Sequence, residues 1–294
     1  MRLTDKELEQ LHKIQPLLFF YASQLNGLVK EFARVDDFFE LDFEDKILIR
    51  DSINSDKEWI LDKFVEKYRD GLTQDDIQIV LSWKEQIRGT FFIVKQLKKY
   101  AKFLSAKDTE NKAYGVYALH DSFDEFFNLP AWAETVLLPF KDKIIYDGLI
   151  LSKNIHFGAS IRKNINEGLG VAEAKYGLIT RLPYVKKSNT DEKLLQFYAK
   201  SESNRDYYAE EIRDIVSKSE ELRQLYYREV GKSNARVLSK SLRLAGIVSG
   251  YFAIIDNVVV ASGVTIKEVD KHIKAIVPKD RLGYVYIYQL RKKR

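Results

Sequence analysis

The chain has 294 residues, of which 45% are hydrophobic and 31% charged, and its net charge is +5. This apolar content is enough to form buried cores, so global disorder is excluded, and the length predicts about two domains. The chain has no cysteine, which excludes disulfides, thiolate metal sites, cysteine nucleophiles and iron–sulfur clusters.

Residues 1–88 have the apolar spacing of helices, and we expect a helical domain built as an antiparallel hairpin. Thr4 and Glu7 form a capping-box pattern at the start of the first helix. A second helix is predicted around residues 47–68, and a third from residue 73 to about residue 88. The acidic run over residues 36–45 is predicted to connect helices.

Residues 89–183 predict an antiparallel β module, arranged as a meander that forms a small barrel or curved sheet. Short apolar runs separated by charged or turn-rich pieces predict strands over residues 91–97, 100–106, 114–119, 135–140, 143–150 and 154–157. Residues 158–176 predict a helix that covers this module.

Part of the β module resembles a known sequence block. The hairpin TVLLPF-KDK-IIYDGLI, followed by NIHFGASIRKNI, is similar to a block in uncharacterised prokaryotic proteins, some of which also carry a cysteine-rich SEC-C zinc motif. The resemblance covers about residues 90–182 and implies no known activity. Zinc binding does not carry over, because this chain has no cysteine.

The last third predicts a basic helical segment over residues 184–249, which opens with a linker-like stretch at residues 186–190. Residues 250–294 predict a ββαβ unit with a basic tail, and this unit resembles small prokaryotic domains of unknown function with a similar hairpin. Its helix is predicted over residues 265–276, and its buried face comprises Ile266, Val269, Ile273 and Ile276. The fold class is therefore predicted as α+β.

Residues 244–266 contain a single charge and are long enough to span a bilayer. However, Asp256 and Asn257 lie near the centre of this stretch, where an acidic residue is costly in a membrane. Together they make an acceptable two-residue turn between β-branched runs, so we predict a hairpin and no membrane partner. The polar start predicts no signal peptide, and we expect a cytoplasmic protein.

Charge is distributed unevenly along the chain, with −6 over residues 1–89, +2 over 90–180 and +9 over 181–294. No acidic residue occurs between residues 230 and 255. Within that window four cations fall inside about an 80° arc of a helix; they are Lys232, Arg236, Lys240 and Arg243. The opposite side carries apolar residues, namely Val237, Leu238, Leu242 and Ala245.

This pattern favours a winged-helix arrangement. Residues 219–230 would form a supporting helix, Gly231 and Lys232 the turn, residues 233–245 the recognition helix, and residues 251–262 the wing. Ser233, Asn234 and Ser239 are predicted to add neutral phosphate contacts. The leading prediction is a non-enzymatic protein that binds nucleic acid or another polyanion through Lys232, Ser233, Arg236, Lys240 and Arg243.

Two other functions remain open from the sequence. The first is a protein-interaction or scaffold role, in which the oppositely charged ends bind an acidic protein or another copy of the chain. The second is a metal-dependent nuclease or hydrolase in the β module, with Asp147 as one ligand and Glu173 and Lys175 as the Glu-x-Lys fragment. His120 and His156 lie in the same module and are expected to approach each other. We predict no cofactor and no resident metal, because no strong catalytic motif occurs.

Overall fold

The computed structural model describes residues 2–106, 110–185 and 190–292. The chain forms two compact units, Met1–Lys186 and Lys187–Arg294. The first two predicted segments fall in the first unit, and the other two fall in the second except for residues 184–186. Residues 186–189 of the predicted linker and the last two residues of the basic tail lie outside the described residues.

The first unit begins with four helices, which are α1 (Asp5–Asn26), α2 (Phe43–Ser55), α3 (Lys57–Tyr68) and α4 (Gln74–Ser82). The predicted capping box at Thr4 is present, since its hydroxyl accepts from the Glu7 amide while the Glu7 carboxylate accepts from the Thr4 amide. The prediction of one helix over residues 47–68 is wrong. Asp56 leaves the helical conformation, with φ −143° and ψ 52°, and so separates α2 from α3.

The third predicted helix also ends earlier than expected, at Ser82 rather than near residue 88. After Ser82 the chain tightens into a 3-10 turn over Trp83–Glu85. Trp83 is buried there, and its indole N–H donates to the Pro139 carbonyl at 3.1 Å. A strand begins at Ile87, four residues later. The predicted hairpin is instead a group of four helices, in which α2, α3 and α4 pack around α1.

Five strands then form a closed barrel, and they are β1 (Ile87–Gln96), β2 (Ala101–Ser105), β3 (Ala113–Tyr117), β4 (Ala131–Phe140) and β5 (Lys143–Tyr146). Their order is β1-β2-β3-β5-β4, and β4 closes the barrel by pairing with β1. The predicted barrel is present, but the all-antiparallel meander is wrong because β3 and β5 are parallel. A short helix, α5 (Phe123–Phe126), carries the chain from β3 across to β4.

The first unit ends with β6 (Leu151–Lys153), α6 (Ala159–Tyr176) and β7 (Leu178–Ile179). The predicted strand over residues 154–157 is thus shifted to Leu151–Lys153, whereas the predicted covering helix is present. Alternate strand residues such as Phe91 and Phe103 fill the barrel. Helix α6 covers the outside of β1–β3, and the N-terminal helices pack against residues of β4 and β5.

The second unit contains α7 (Thr190–Tyr198), α8 (Glu202–Tyr207), α9 (Ala209–Ser217), α10 (Glu220–Leu244), β8 (Gly250–Ile255), β9 (Val258–Gly263), α11 (Ile266–Ile276) and β10 (Tyr286–Leu290). The three strands form a small separate antiparallel sheet in the order β10-β8-β9. Val269 and Ile273 of α11 pack on one face with Ala253 and Ala261. Ile266 and Ile276, predicted to be buried, are exposed because only the middle of α11 covers the sheet.

The apolar stretch over residues 244–266 contains the predicted hairpin, formed by β8 and β9, with Asp256 at a positive φ of 54° in the turn. None of the helices in the described ranges is long and apolar enough to cross a membrane. The backbone hydrogen bonds of this apolar stretch are instead made by strand pairing, since β8 pairs with both β9 and β10.

Candidate anion-binding surface

Helix α10 is continuous over 25 residues, so the predicted turn at Gly231 and Lys232 and the separate supporting and recognition helices are wrong. Gly231 is buried against the sheet, where a Cβ would lie 2.8 Å from Tyr286 Cβ. This glycine therefore allows the helix to approach β10 closely. The sequence does not distinguish a glycine that forms a turn from one that allows close packing, because glycine is suited to both roles.

The basic ridge, which we define as Lys232, Arg236, Lys240 and Arg243, lies on the outer side of α10. The first three side chains are exposed. Arg243 is half-buried, and its Nη2 donates to the Arg291 carbonyl at 2.7 Å. Lys232 approaches Glu229 at 3.4 Å. Arg236 and Lys240 make no ion pair with any described residue and are the most available cations of the ridge.

The apolar side predicted opposite the ridge is only partly buried. Leu238 and Leu242 are half-buried, whereas Val237 is 67% exposed and Ala245 is exposed as well. Leu244, at the border of this side, is 89% exposed. Helix α10 packs on both the sheet and α7, but its last turns extend beyond them. The exposed side of these turns therefore mixes cations with apolar residues.

Ser233 connects α10 to the end of α7. Its hydroxyl donates to the Lys200 carbonyl at 2.9 Å, so its proton is already used and cannot be donated to a phosphate. Asn234 is engaged as well, since its amide donates to the Asp256 carbonyl at 2.9 Å. These hydrogen bonds engage donor groups of both side chains within the unit.

A groove of about 280 Å³ lies between α7 and α10, and its lining residues are Gln196, Lys200, Glu229, Lys232, Ser233 and Arg236. Three cations and one carboxylate give the lining a net charge of +2. Lys200 lies 32 residues before Lys232 and outside the acid-free window, so sequence reasoning missed it. Packing of the two helices brings it beside the ridge.

The second unit has two pairs of adjacent tyrosines, Tyr207–Tyr208 and Tyr226–Tyr227, and one ring of each pair is stacked on another tyrosine of the unit. Tyr208 stacks on Tyr198 with ring centroids 4.3 Å apart, and Tyr227 stacks on Tyr284 at 4.7 Å. Tyr207 is the exposed exception, at 74%. Among these pairs, Tyr207 is therefore the one tyrosine that is well exposed for stacking on a base.

The residues of the predicted nuclease site are engaged elsewhere. Asp147 is buried and faces Arg50, with its Oδ2 3.8 Å from the Arg50 Nη1. Glu173 belongs to α6, not to a strand, and lies 2.5 Å from Lys102. No group of three or more metal-ligating side chains occurs within the described residues.

The structure brings His12 and His120 together, with ring centroids 5.6 Å apart. Burial, followed by the nearby His120, lowers the pKa of His12. This pair joins α1 to the loop after β3, so it could not be anticipated from histidines of the β module alone. The predicted approach of His120 and His156 is not among the ring contacts of the described residues.

One outer side of the barrel is covered by helix α6. Ile165 and Leu169 of α6 pack on Val94 of β1 and Leu104 of β2. The barrel topology by itself does not assign a function.

Comparison with protein-family models, with curated proteins and with solved structures found no match to this chain. The resemblance of residues 90–182 to SEC-C-associated prokaryotic proteins, and that of the C-terminal ββαβ unit, therefore remain predictions.

Proposed function

We propose that the Lys187–Arg294 unit binds nucleic acid through the ridge and the groove beside it. The observation that carries the proposal is the convergence of Lys200 with Lys232 and Arg236 around one groove, next to exposed Lys240. Lys200 lies in the turn that follows α7, so these cations form a surface that is wider than the charged side of α10 alone. Phosphate groups are the ligands that such clustered lysine and arginine side chains attract.

The ridge has the right length for several phosphates. Lys232 and Arg243 are 11 residues apart on α10, which corresponds to about 16 Å along the helix. This equals about five nucleotides of one DNA strand at about 3.4 Å each. Because Arg243 is held by the Arg291 carbonyl, we assign the main contacts to Lys200, Arg236 and Lys240.

Three phosphate contacts predict a measurable salt dependence. The slope of log affinity against log salt concentration is about −0.9 per contact, so three contacts give about −2.7. Binding should then weaken by about 40-fold between about 50 and 200 mM salt. Fluorescence anisotropy with labelled single-stranded and double-stranded DNA and RNA measures this directly.

The matched test compares Arg236→Gln plus Lys240→Gln with Lys271→Gln plus Lys274→Gln. Both variants lose two positive charges, but the second pair lies exposed on α11, which packs on the opposite face of the sheet. We expect the ridge variant to bind at least about tenfold more weakly with a slope shallower by about 1.8, and the control to keep its slope. Equal loss in both variants, or no binding at about 50 mM salt, would overturn the proposal.

A protein partner is the second candidate, and the exposed apolar residues beside the ridge favour it. Val237, Leu244, Ile247 and Val248 are all at least 39% exposed, and clustered exposed apolar residues often mark protein interaction sites. Sedimentation velocity at low and high salt distinguishes the two candidates. Salt-dependent self-association without nucleic-acid binding would favour the scaffold role.

A further inference from the structure

A polar cluster lies buried in the first unit, where the N-terminal helices meet the barrel. Arg50 and Asn54 are one turn apart on α2, and Asp147 directly follows β5. Arg50 is 3% exposed and Asp147 is 4% exposed. Buried charges of this kind require hydrogen bonds as well as an opposite charge.

Each member of the cluster uses only part of its hydrogen-bonding capacity. Arg50 Nε donates to Asp51 at 3.1 Å, and Asp147 Oδ1 accepts from the Thr135 hydroxyl and the Leu149 amide, both at 3.1 Å. Four buried atoms of this cluster have no hydrogen-bond partner among the described residues, namely Arg50 Nη1, Arg50 Nη2, Asn54 Nδ2 and Asp147 Oδ2.

The residues that carry these four atoms line one cavity of about 30 Å³, together with an apolar wall that includes Phe19, Trp83 and Leu138. The Arg50 Nη1 and Asp147 Oδ2 atoms are 3.8 Å apart, which is too far for a direct hydrogen bond. Arg50, Asn54 and Asp147 thus bring unpartnered donors and an unpartnered acceptor to the lining of one cavity.

We infer that this cavity is a binding site for two water molecules that bridge Arg50 and Asp147. A buried water needs about 10–15 Å³ of such volume and two to four polar partners, so about 30 Å³ accommodates two. One water accepts from Arg50 Nη1 and donates to Asp147 Oδ2. The second accepts from Arg50 Nη2 and Asn54 Nδ2 and donates to the first.

A small anion fits this site less well than water. Three donors would suit an anion, but the Asp147 carboxylate faces the same cavity and repels a negative charge when it is ionised. A water molecule can accept from the donors and also donate to Oδ2, so it satisfies both kinds of group. The bridged pair then joins α2 to the turn that follows β5.

High-resolution diffraction from crystals of the full chain, grown near pH 8 with sodium bromide, tests this inference. We expect two density peaks in the cavity within hydrogen-bond distance of the four atoms, and no anomalous bromide signal there. An empty cavity, a direct Arg50–Asp147 hydrogen bond that closes it, or an anomalous peak inside it would overturn the inference.

A variant and a solution measurement provide the control. Asn54→Leu removes one donor and fills part of the cavity, so the second water should disappear from its density. Oxygen-17 relaxation dispersion of the wild-type protein counts long-lived internal waters without a crystal, and we expect this variant to have fewer of them. An unchanged count in a folded Asn54→Leu protein would contradict the assignment.

Discussion

Replacing Asp147 by asparagine is expected to change how the stability of the Met1–Lys186 unit depends on pH. Burial raises the pKa of Asp147 to about 6 from an ordinary value of 3.8, although the nearby Arg50 charge acts to lower it. The folded protein therefore binds a proton at this carboxyl over a pH range in which the unfolded chain has already released it. Asparagine removes this titration and keeps nearly the same shape.

The direction and size of the effect follow from this pKa difference. A raised folded-state pKa gives a contribution to stability that is complete below pH 3.8 and is lost as the pH rises through about 6. The difference of about 2 pKa units corresponds to about 3 kcal/mol. Bound water in the cavity would solvate the carboxylate, so about 3 kcal/mol is the upper limit.

Asp147→Asn should therefore be about as stable as the wild-type protein near pH 4 and increasingly more stable than it towards pH 7.5. Other carboxylates titrate equally in both proteins, so their contributions cancel in the difference in stability between the variant and the wild-type protein. An example is Asp76, in which burial acts to raise the pKa but hydrogen bonds from Lys13 and Gln10 lower it overall.

Urea unfolding followed by tryptophan fluorescence measures the difference, because Trp59, Trp83 and Trp132 all belong to the unit that contains Asp147. The neighbouring charges on the Arg50 side are Asp51, Arg88 and Glu134, and all are retained in the variant. If Asp147→Asn becomes progressively less stable than wild type as the pH rises, attraction to Arg50 outweighs burial and the reasoning is refuted.

Two further substitutions test local packing by urea unfolding. Gly231→Ala should destabilise the second unit by about 1–2 kcal/mol, because a Cβ would lie 2.8 Å from Tyr286 Cβ and overpacking outweighs the gain in helix propensity. Gly168→Ala, on α6 with its nearest neighbour at 3.4 Å, should instead stabilise its unit by up to about 1 kcal/mol, and an equal response of both glycines would contradict this explanation. Thr73→Ala should cost about 1 kcal/mol, since the Thr73 hydroxyl accepts from the Asp76 amide at 3.2 Å; an unchanged unfolding midpoint would show that this cap contributes nothing.

Local sequence signals predicted the elements whose causes are themselves local. The capping box at Thr4 is present, as are the predicted start of a helix at Thr73 and the hairpin turn at Asp256 and Asn257. A cap or a two-residue turn depends on side chains within four residues of each other, so its physics is contained in a short window. The predicted ends of two helices differ from the observed ones. Helix α2 ends at Ser55 because Asp56 leaves the helical conformation. Helix α4 ends at Ser82, next to the buried Trp83, whose contact with Pro139 is a tertiary one.

The order in which the barrel strands pair could not be predicted from such local sequence signals. Each barrel strand has the same alternating pattern whether its neighbour is parallel or antiparallel, so the β3–β5 pairing became visible only in the tertiary structure. The same holds for Gly231, whose role depends on a strand that lies more than 50 residues later.

By itself the sequence determined the mixed α/β class, the cysteine-free chemistry and the acid-free basic stretch of α10, because these depend on composition and on helical spacing. Only the tertiary structure decided which charges meet. Lys200 lies beside the ridge because α7 packs on α10, and Arg50 faces Asp147 because α2 packs on the barrel. Such encounters depend on burial of apolar faces between distant segments, which a short sequence window does not contain.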